Sequence, residues 1–407
     1  MAIHMQYGLK VRNVGVQIHA KIIEEEAEKQ VRFCEGHPAF KELIAIMPDV
    51  HAGAGCVIGF TGKFDKAVIP NIVGVDIGCG VAAYPLKKKI RDINFENFDR
   101  FAREKIPLGF NGHSFSSVVD FYSFLQKEYA PTDIFVSELT QLCLDVHSFY
   151  TVHDVKISSM PHNQLGTLGG GNHFIEIDEN PTTKQKYLVV HTGSRNFGLK
   201  VANHFQKKAK TLCKEMGIVV PTDMEYLPMS AGGNEYMEWM QLAQKYARFN
   251  RRIMLSLLLR FFNMNFREDK LIESTHNYIS ERDHIIRKGA ISAYKDQRVI
   301  IPMNMADGII IGTGKSNRNY NFSAPHGAGR LFGRKDIKRR LASGEFTIKQ
   351  FKKSMEGVFS TSVGVGTFDE SPFAYKKKED VLEFIKETVD IEAMLKPIYN
   401  LKNDEKS

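Results

Sequence analysis

Cysteine is scarce in this chain of 407 residues: five are present, at positions 34, 56, 79, 143 and 213, widely spaced and without a Cys-x-x-Cys pair. That excludes a disulfide framework, and reduced thiols are expected. No uninterrupted apolar run reaches membrane length, and Met1-Ala-Ile-His-Met-Gln lacks a basic stretch ahead of an apolar one. No spanning helix or secretory leader is therefore expected, and a cytoplasmic location is. Neither the Walker Lys-Ser/Thr nor the Rossmann glycine spacing occurs, so a nucleotide site must be of another kind. Repeats, clear linkers and low-complexity tracts are missing apart from the charged tail at 403–407. One integrated domain over 1–407 is expected, with a mainly helical insertion at about 205–270.

Apolar residues at 43% and charged residues at 25% describe an ordinary globular chain, long enough for a sizeable core. The formal charge of +8 suits either solubility or a polyanionic partner such as RNA. Residues 21–34 place Ile22, Ile23, Ala27 and Val31 on one face of an amphipathic helix. From Ile44 to Tyr84 short β-like runs alternate with glycines, NIVGVDIGCG among them. Residues 85–160 read as helical, and 234–262 as one long helix with an apolar face running from Tyr236 and Met240 to Phe261. Strands return in RKGAISA, RVIIP and GIIIGTG.

The chemistry gathers around Asp76-Ile77-Gly78-Cys79-Gly80. A carboxylate, a thiol and the histidines of Asn172-His173, Val190-His191 and Thr275-His276 form a borderline donor set suited to Mn²⁺, Fe²⁺ or Zn²⁺, and a bridging thiolate can hold two ions. Read singly, Cys79 is also a small buried hydrophobe and Asp76 a turn residue. Asp49 and His51, in a glycine-bounded loop, serve either as turn residues or in function. The glycine-rich stretch before Asn172 can present backbone N–H groups to phosphate. His191 through Arg195 can bind a metal and a phosphate from one strand end, or simply cap it. In Pro325-His326-Gly327-Ala328-Gly329-Arg330, His326 is a candidate covalent nucleophile, the glycines leave room for a bulky adduct, and Arg330 can pair with phosphate. The same segment also reads as a helix start.

MPDVHAG, IPNIVGVDIGCG, LGTLGGGNHFIE, HTGSR, THNYI, RKGAISA and HGAGR resemble, in order and spacing, the RtcB-type RNA ligases, from about residue 40 to the C-terminus. The resemblance implies an α+β fold: a single large domain of central mixed β-sheets and surrounding helices, with a metal and nucleotide cleft at strand ends. It implies a GTP-dependent ligase that joins RNA 3′-phosphate or 2′,3′-cyclic phosphate ends to 5′-hydroxyl ends, in RNA repair or tRNA splicing. His326 would carry GMP, and Cys79 would bridge two Mn²⁺ ions, one held with Asp76 and His173, the other with His191 and His276. Asn172, His173, Phe174, Ile175, Glu176, His276, Asn277, Pro302, Met303, Asn304, Met305, Gly327, Ala328, Gly329 and Lys402 match guanylate-surrounding segments. Arg195 and Arg330 match positions suited to RNA phosphates, and an archease-like activator is an implied partner.

Three places depart from the family pattern. Met303-Asn304 stand where Gly-Ser is usual, Tyr375-Lys376-Lys377-Lys378-Glu379 where YKDID is expected, and Lys402-Asn403 where the family ends in Lys-Gly. Two other functions fit the same residues: a metal-dependent phosphodiesterase that opens cyclic phosphates without GTP, and an RNA-end binding protein without turnover.

Overall fold

The computed structural model describes residues 15–129 and 133–404. The amino-terminal hexapeptide and the last three residues of the charged tail lie outside the described residues. Branched apolar runs form the centre of the molecule. Seven strands make an antiparallel sheet in the order Arg298–Pro302, Ile309–Gly314, Val389–Leu401, Phe174–Glu179, Lys186–Thr192, Gly80–Pro85, Ile272–Thr275. Side chains alternate across it: Val81, Ala83 and Val189 enter one core, Ala82, Tyr84 and Val190 the other. The sheet curls until its edges meet, with Ile300 N–H donating to Ser274 Oγ at 3.0 Å. Isoleucines 300, 309 and 311 then pack against Val81 and Ile272.

The second sheet, in the order Val16–Ile18, Phe40–His51, Ile58–Phe64, Ile285–Lys288, Asn277–Ile279, is antiparallel except for its first pair. The molecule is thus an α+β fold with mixed sheets inside and helices around them. Helices Phe95–Lys105, Val118–Tyr129 and Asp133–Val152 occupy the stretch expected to be helical. Arg195–Glu215 and Gly233–Leu259 share the principal core with both sheets, through residues such as Phe205, Met240 and Leu258. All five cysteines are free thiols. Among the described residues no helix is long and apolar enough to cross a membrane.

Local readings change in three places. The amphipathic helix starts only at Glu25, leaving Ile22 exposed while Ala27 and Val31 are buried. Pro70–Val73, expected as part of a β-like run, is one helical turn. Pro70 occupies its first turn, where a missing N–H costs nothing, and the turn redirects the chain into the loop that carries Asp76. Asp49 and His51, expected in a loop, end the twelve-residue strand Phe40–His51.

Candidate metal centre and adjoining clefts

Strand register assembles the donors. Phe174 pairs with His191, Gly80 with Thr192 and also with Thr275. His173 and Cys79 immediately precede their strands, and His276 immediately follows its own. Four neighbouring strands therefore deliver Cys79, His173, His191 and His276 to one end of the curled sheet. A backbone hydrogen bond from His276 N–H to the Cys79 carbonyl, 2.9 Å, locks two of them together. Asp76 joins from the loop, its Oδ2 2.9 Å from His173 Nε2.

The donor atoms form two triads that share one sulfur: Cys79, His191 and His276, and Asp76, Cys79 and His173. Cys79 Sγ is 3.3 Å from both His173 Nε2 and His191 Nε2, and His191 Nε2 is 3.3 Å from His276 Nε2. Ligands at ~2.0–2.3 Å from one ion lie roughly 3.1–3.7 Å apart, so this spacing fits coordination. Burial holds His191 and His276 well below the usual histidine range, neutral and ready to ligate. Burial would raise the Asp76 pKa, but the hydrogen bond and charge of His173 outweigh it and bring the carboxyl down to about 2. The Cys79 thiol is pushed well up by burial and by Asp76, so a cation binding there must displace a proton. The residues of either triad fit a divalent ion, and the two triads share the Cys79 sulfur.

Glycines make the packing feasible at two points. A Cβ on Gly169 would stand 2.1 Å from His173 Nδ1, and one on Gly193 2.0 Å from Asp76 Oδ1. The glycine-rich stretch thus clears space for a ligand ring and Arg195, a role its expected phosphate-binding function did not anticipate. Beneath the site the long helix inserts two polar side chains. Arg251, fully buried, donates to the carbonyls of Gly78 and Thr192 at 2.8 and 2.9 Å and pairs with Glu273 at 2.6 Å. Asn250 bonds both the N–H and the C=O of Thr167, at 3.0 and 3.1 Å. Apolar periodicity presented this helix as core and concealed both residues.

A cleft of about 240 Å³ opens on the His191–His276 side. His326 stands in it, its ring centroid 4.8 Å from that of His276. Asp49 Oδ2 accepts from His326 Nδ1 at 2.6 Å and from the N–H groups of His326 and Gly327 at 3.1 and 3.2 Å. Nε2 is left as the nitrogen available to a ligand. Gly329 has φ +75°, and a Cβ there would lie 2.2 Å from the Asp49 carbonyl oxygen. A glycine there serves the packing of this loop on the Asp49 strand.

Asn172, Phe174, Glu176 and Asn277 line the cleft, as do Pro302 through Met305 and His326 through Arg330. Ile175 points into the core. Lys402 Nζ lies 3.4 Å from the carbonyls of Gly171 and His173 and 3.3 Å from Glu370. Glu370, which no motif singled out, also pairs with Arg330 and Arg334 and accepts from the Tyr375 hydroxyl at 2.6 Å. Burial would raise its pKa, but Lys402, Arg334 and Arg330 hold it down to about 2. Burial pushes Glu176 up to about 7 despite its bond from Asn400.

Arg330 spends its guanidinium on Glu370 and the Asp369 carbonyl. Arg195 bonds Thr167 and the Gly109 carbonyl, and lines a second, larger cleft on the Asp76–His173 side.

The family model for RtcB, described as tRNA-splicing ligase RtcB, matches residues 30–403. The chain is 28% identical to the RNA-splicing ligase RtcB of Escherichia coli K12, over 97% of this chain and 98% of that protein. It is 27% identical to the tRNA-splicing ligase RtcB of Archaeoglobus fulgidus, over 90% and 88%, and 26% to that of Methanococcus maripaludis, over 89% and 88%.

Proposed function

The chain belongs to the RtcB tRNA-splicing ligase family, and from that footing we propose that it is a GTP-dependent RNA ligase acting through a histidine-linked GMP. The observation that carries the reading is His326: Asp49 grips its Nδ1, and its ring faces the metal triad across the cleft. With Nδ1–H committed to a carboxylate, Nε2 keeps its lone pair. It attacks the α-phosphorus of GTP, an N–P bond forms, the bond to the bridging oxygen breaks, and pyrophosphate leaves. The RNA 3′-phosphate then takes the guanylyl group from the imidazole to give an RNA-3′-pp-5′-G end, and a 5′-hydroxyl displaces GMP to seal the strand. A 2′,3′-cyclic phosphate is first opened by water.

Two Mn²⁺ ions in the Cys79-bridged site would neutralise phosphate charge and align the attacking and leaving groups. Asn172, Phe174, Glu176, Asn277, Lys402 and the Pro302–Met305 loop surround the guanylate. Deep in the cleft, Glu176 offers a carboxyl and Lys402 a cation to the polar edges of base and ribose. RNA repair and tRNA splicing both use this chemistry, and an archease-like activator fits either.

Incubation with α-labelled GTP and Mn²⁺ tests the proposal. Acid-labile label on the wild type, absent from His326→Ala, is expected. Failure to label the wild type, with cyclic phosphate still being opened, would instead identify a phosphodiesterase.

A further inference from the structure

The second cleft, about 750 Å³, adjoins the first and shares Asn172, Arg334 and Glu370 with it. Asp76 and His173 line it, so it opens onto the face of the metal site opposite His326. At its rim stands Phe110, 87% exposed. An aromatic ring left in water forfeits the burial that usually places phenylalanine inside.

The turn beneath Phe110 is nevertheless firmly held. Asn111 N–H donates to the Leu108 carbonyl at 3.1 Å and Leu168 N–H to the Pro107 carbonyl at 2.9 Å, while Arg195 bonds the Gly109 carbonyl. Gly109 has φ +63°, and a Cβ on it would strike the Asn403 side chain at 2.7 Å. The ring is therefore presented on a braced support.

Charge complements it. The helix Arg334–Ala342 starts at this cleft, contributing Arg334 and Lys338 to its wall, and Ile348–Ser354 follows. Between 334 and 353 eight lysines and arginines stand against Asp336 and Glu345 alone, six net positive charges in a chain whose total is +8. Most of the net charge of the sequence thus lies on a segment whose first helix borders this cleft through Arg334, which pairs with Asp369 and Glu370, and Lys338.

We infer that this cleft docks the end of the single-stranded RNA substrate, Phe110 stacking on a base near the terminus and the basic helical segment 334–353 following the backbone phosphates. A ring plus a cationic track is the usual way a protein holds a single strand without reading its sequence. The inference rests on the ligase reading for the identity of the ligand.

RNA oligonucleotides carrying 2-aminopurine as the terminal base test it, one ending in a 3′-phosphate and one beginning with a 5′-hydroxyl. Binding to the Mn²⁺-loaded wild type is expected to quench one of the two. Phe110→Ala should lose that quench and bind roughly 5- to 150-fold more weakly, the range set by stacking of ~1–3 kcal/mol per base; Phe110→Tyr should retain both. Lys338→Gln should keep the quench and flatten the salt dependence of log affinity by ~0.7. Wild-type quench and affinity in Phe110→Ala would overturn the platform, and an unchanged salt slope in Lys338→Gln would overturn the track. These binding readouts need no turnover. A chain that fails to take label from GTP but shows the Phe110-dependent quench refutes the ligase reading and leaves the inference standing.

Discussion

Asp49→Asn isolates the positioning of the nucleophile. The carboxylate is fully buried and its Oδ2 accepts three hydrogen bonds, the shortest, 2.6 Å, from His326 Nδ1. In the proposed guanylylation step a positive charge would develop on the imidazole as the N–P bond forms, and Asp49 is the anion beside it. The amide keeps the shape and one acceptor oxygen but loses the charge. A hydrogen bond to a charged group contributes ~1.5–3 kcal/mol, so the rate of label transfer from GTP should fall about 10- to 150-fold. Asp49 belongs to neither metal triad, so Mn²⁺ affinity should not change. Sealing of a pre-made RNA-3′-pp-5′-G end, which bypasses His326 attack, should also proceed at nearly the wild-type rate. A general structural defect would slow both reactions. Guanylylation within threefold of wild type in Asp49→Asn, with a normal melting temperature, refutes the reasoning.

Two further outcomes follow from the same geometry. Cys79 Sγ belongs to both triads whereas His276 belongs to one; Cys79→Ala should abolish tight binding of both Mn²⁺ ions in calorimetry, and His276→Ala should reduce the stoichiometry to one. Burial lifts Glu176 to about 7 against an unfolded value of 4.5, so its protonated form is favoured in the metal-free fold: that contribution is whole below pH 4.5 and is lost as pH rises to 7. At one unit per 1.36 kcal/mol the loss is about 3 kcal/mol, and Glu176→Gln should be the more stable chain by about that much at pH 8 in urea titrations and nearly equal at pH 4; a pH-independent difference would refute this.

The donors were legible because each sits in a short contiguous motif whose residue types are chemically distinctive. Their supports were not. Cys79, His173, His191 and His276 span almost two hundred positions, and only the pairing of four strands gathers them into two triads that could hold a metal ion. Arg251 and Asn250 lie on a helix whose apolar periodicity is genuine, yet they hold the carbonyls that shape the site. Glu370 carries no motif, and its importance comes from Lys402, Arg330 and Arg334 converging on it. Gly329 reads in the sequence as room beside His326, and only the fold shows that a Cβ there would also strike the Asp49 strand.

One of the three departures from the family pattern acquires local meaning in the fold, and a residue beside another supports the nucleophile. Lys376, which keeps the lysine of the expected YKDID, is buried with its Nζ on the carbonyls of Ile22, Pro48 and Val50, at 2.9, 3.0 and 2.6 Å. Two of those carbonyls flank Asp49, so this cation secures the strand end that orients His326. Tyr375 still lines the cleft that holds His326 and bonds Glu370. Asn403, where the family has glycine, packs against Gly109 and lines the second cleft beside Phe110. A side chain added there lies next to the proposed base platform and leaves the ion-binding donors untouched. The departures at Met303-Asn304 and Asn403 therefore fall on the walls of the two clefts and not on the ion-binding donors.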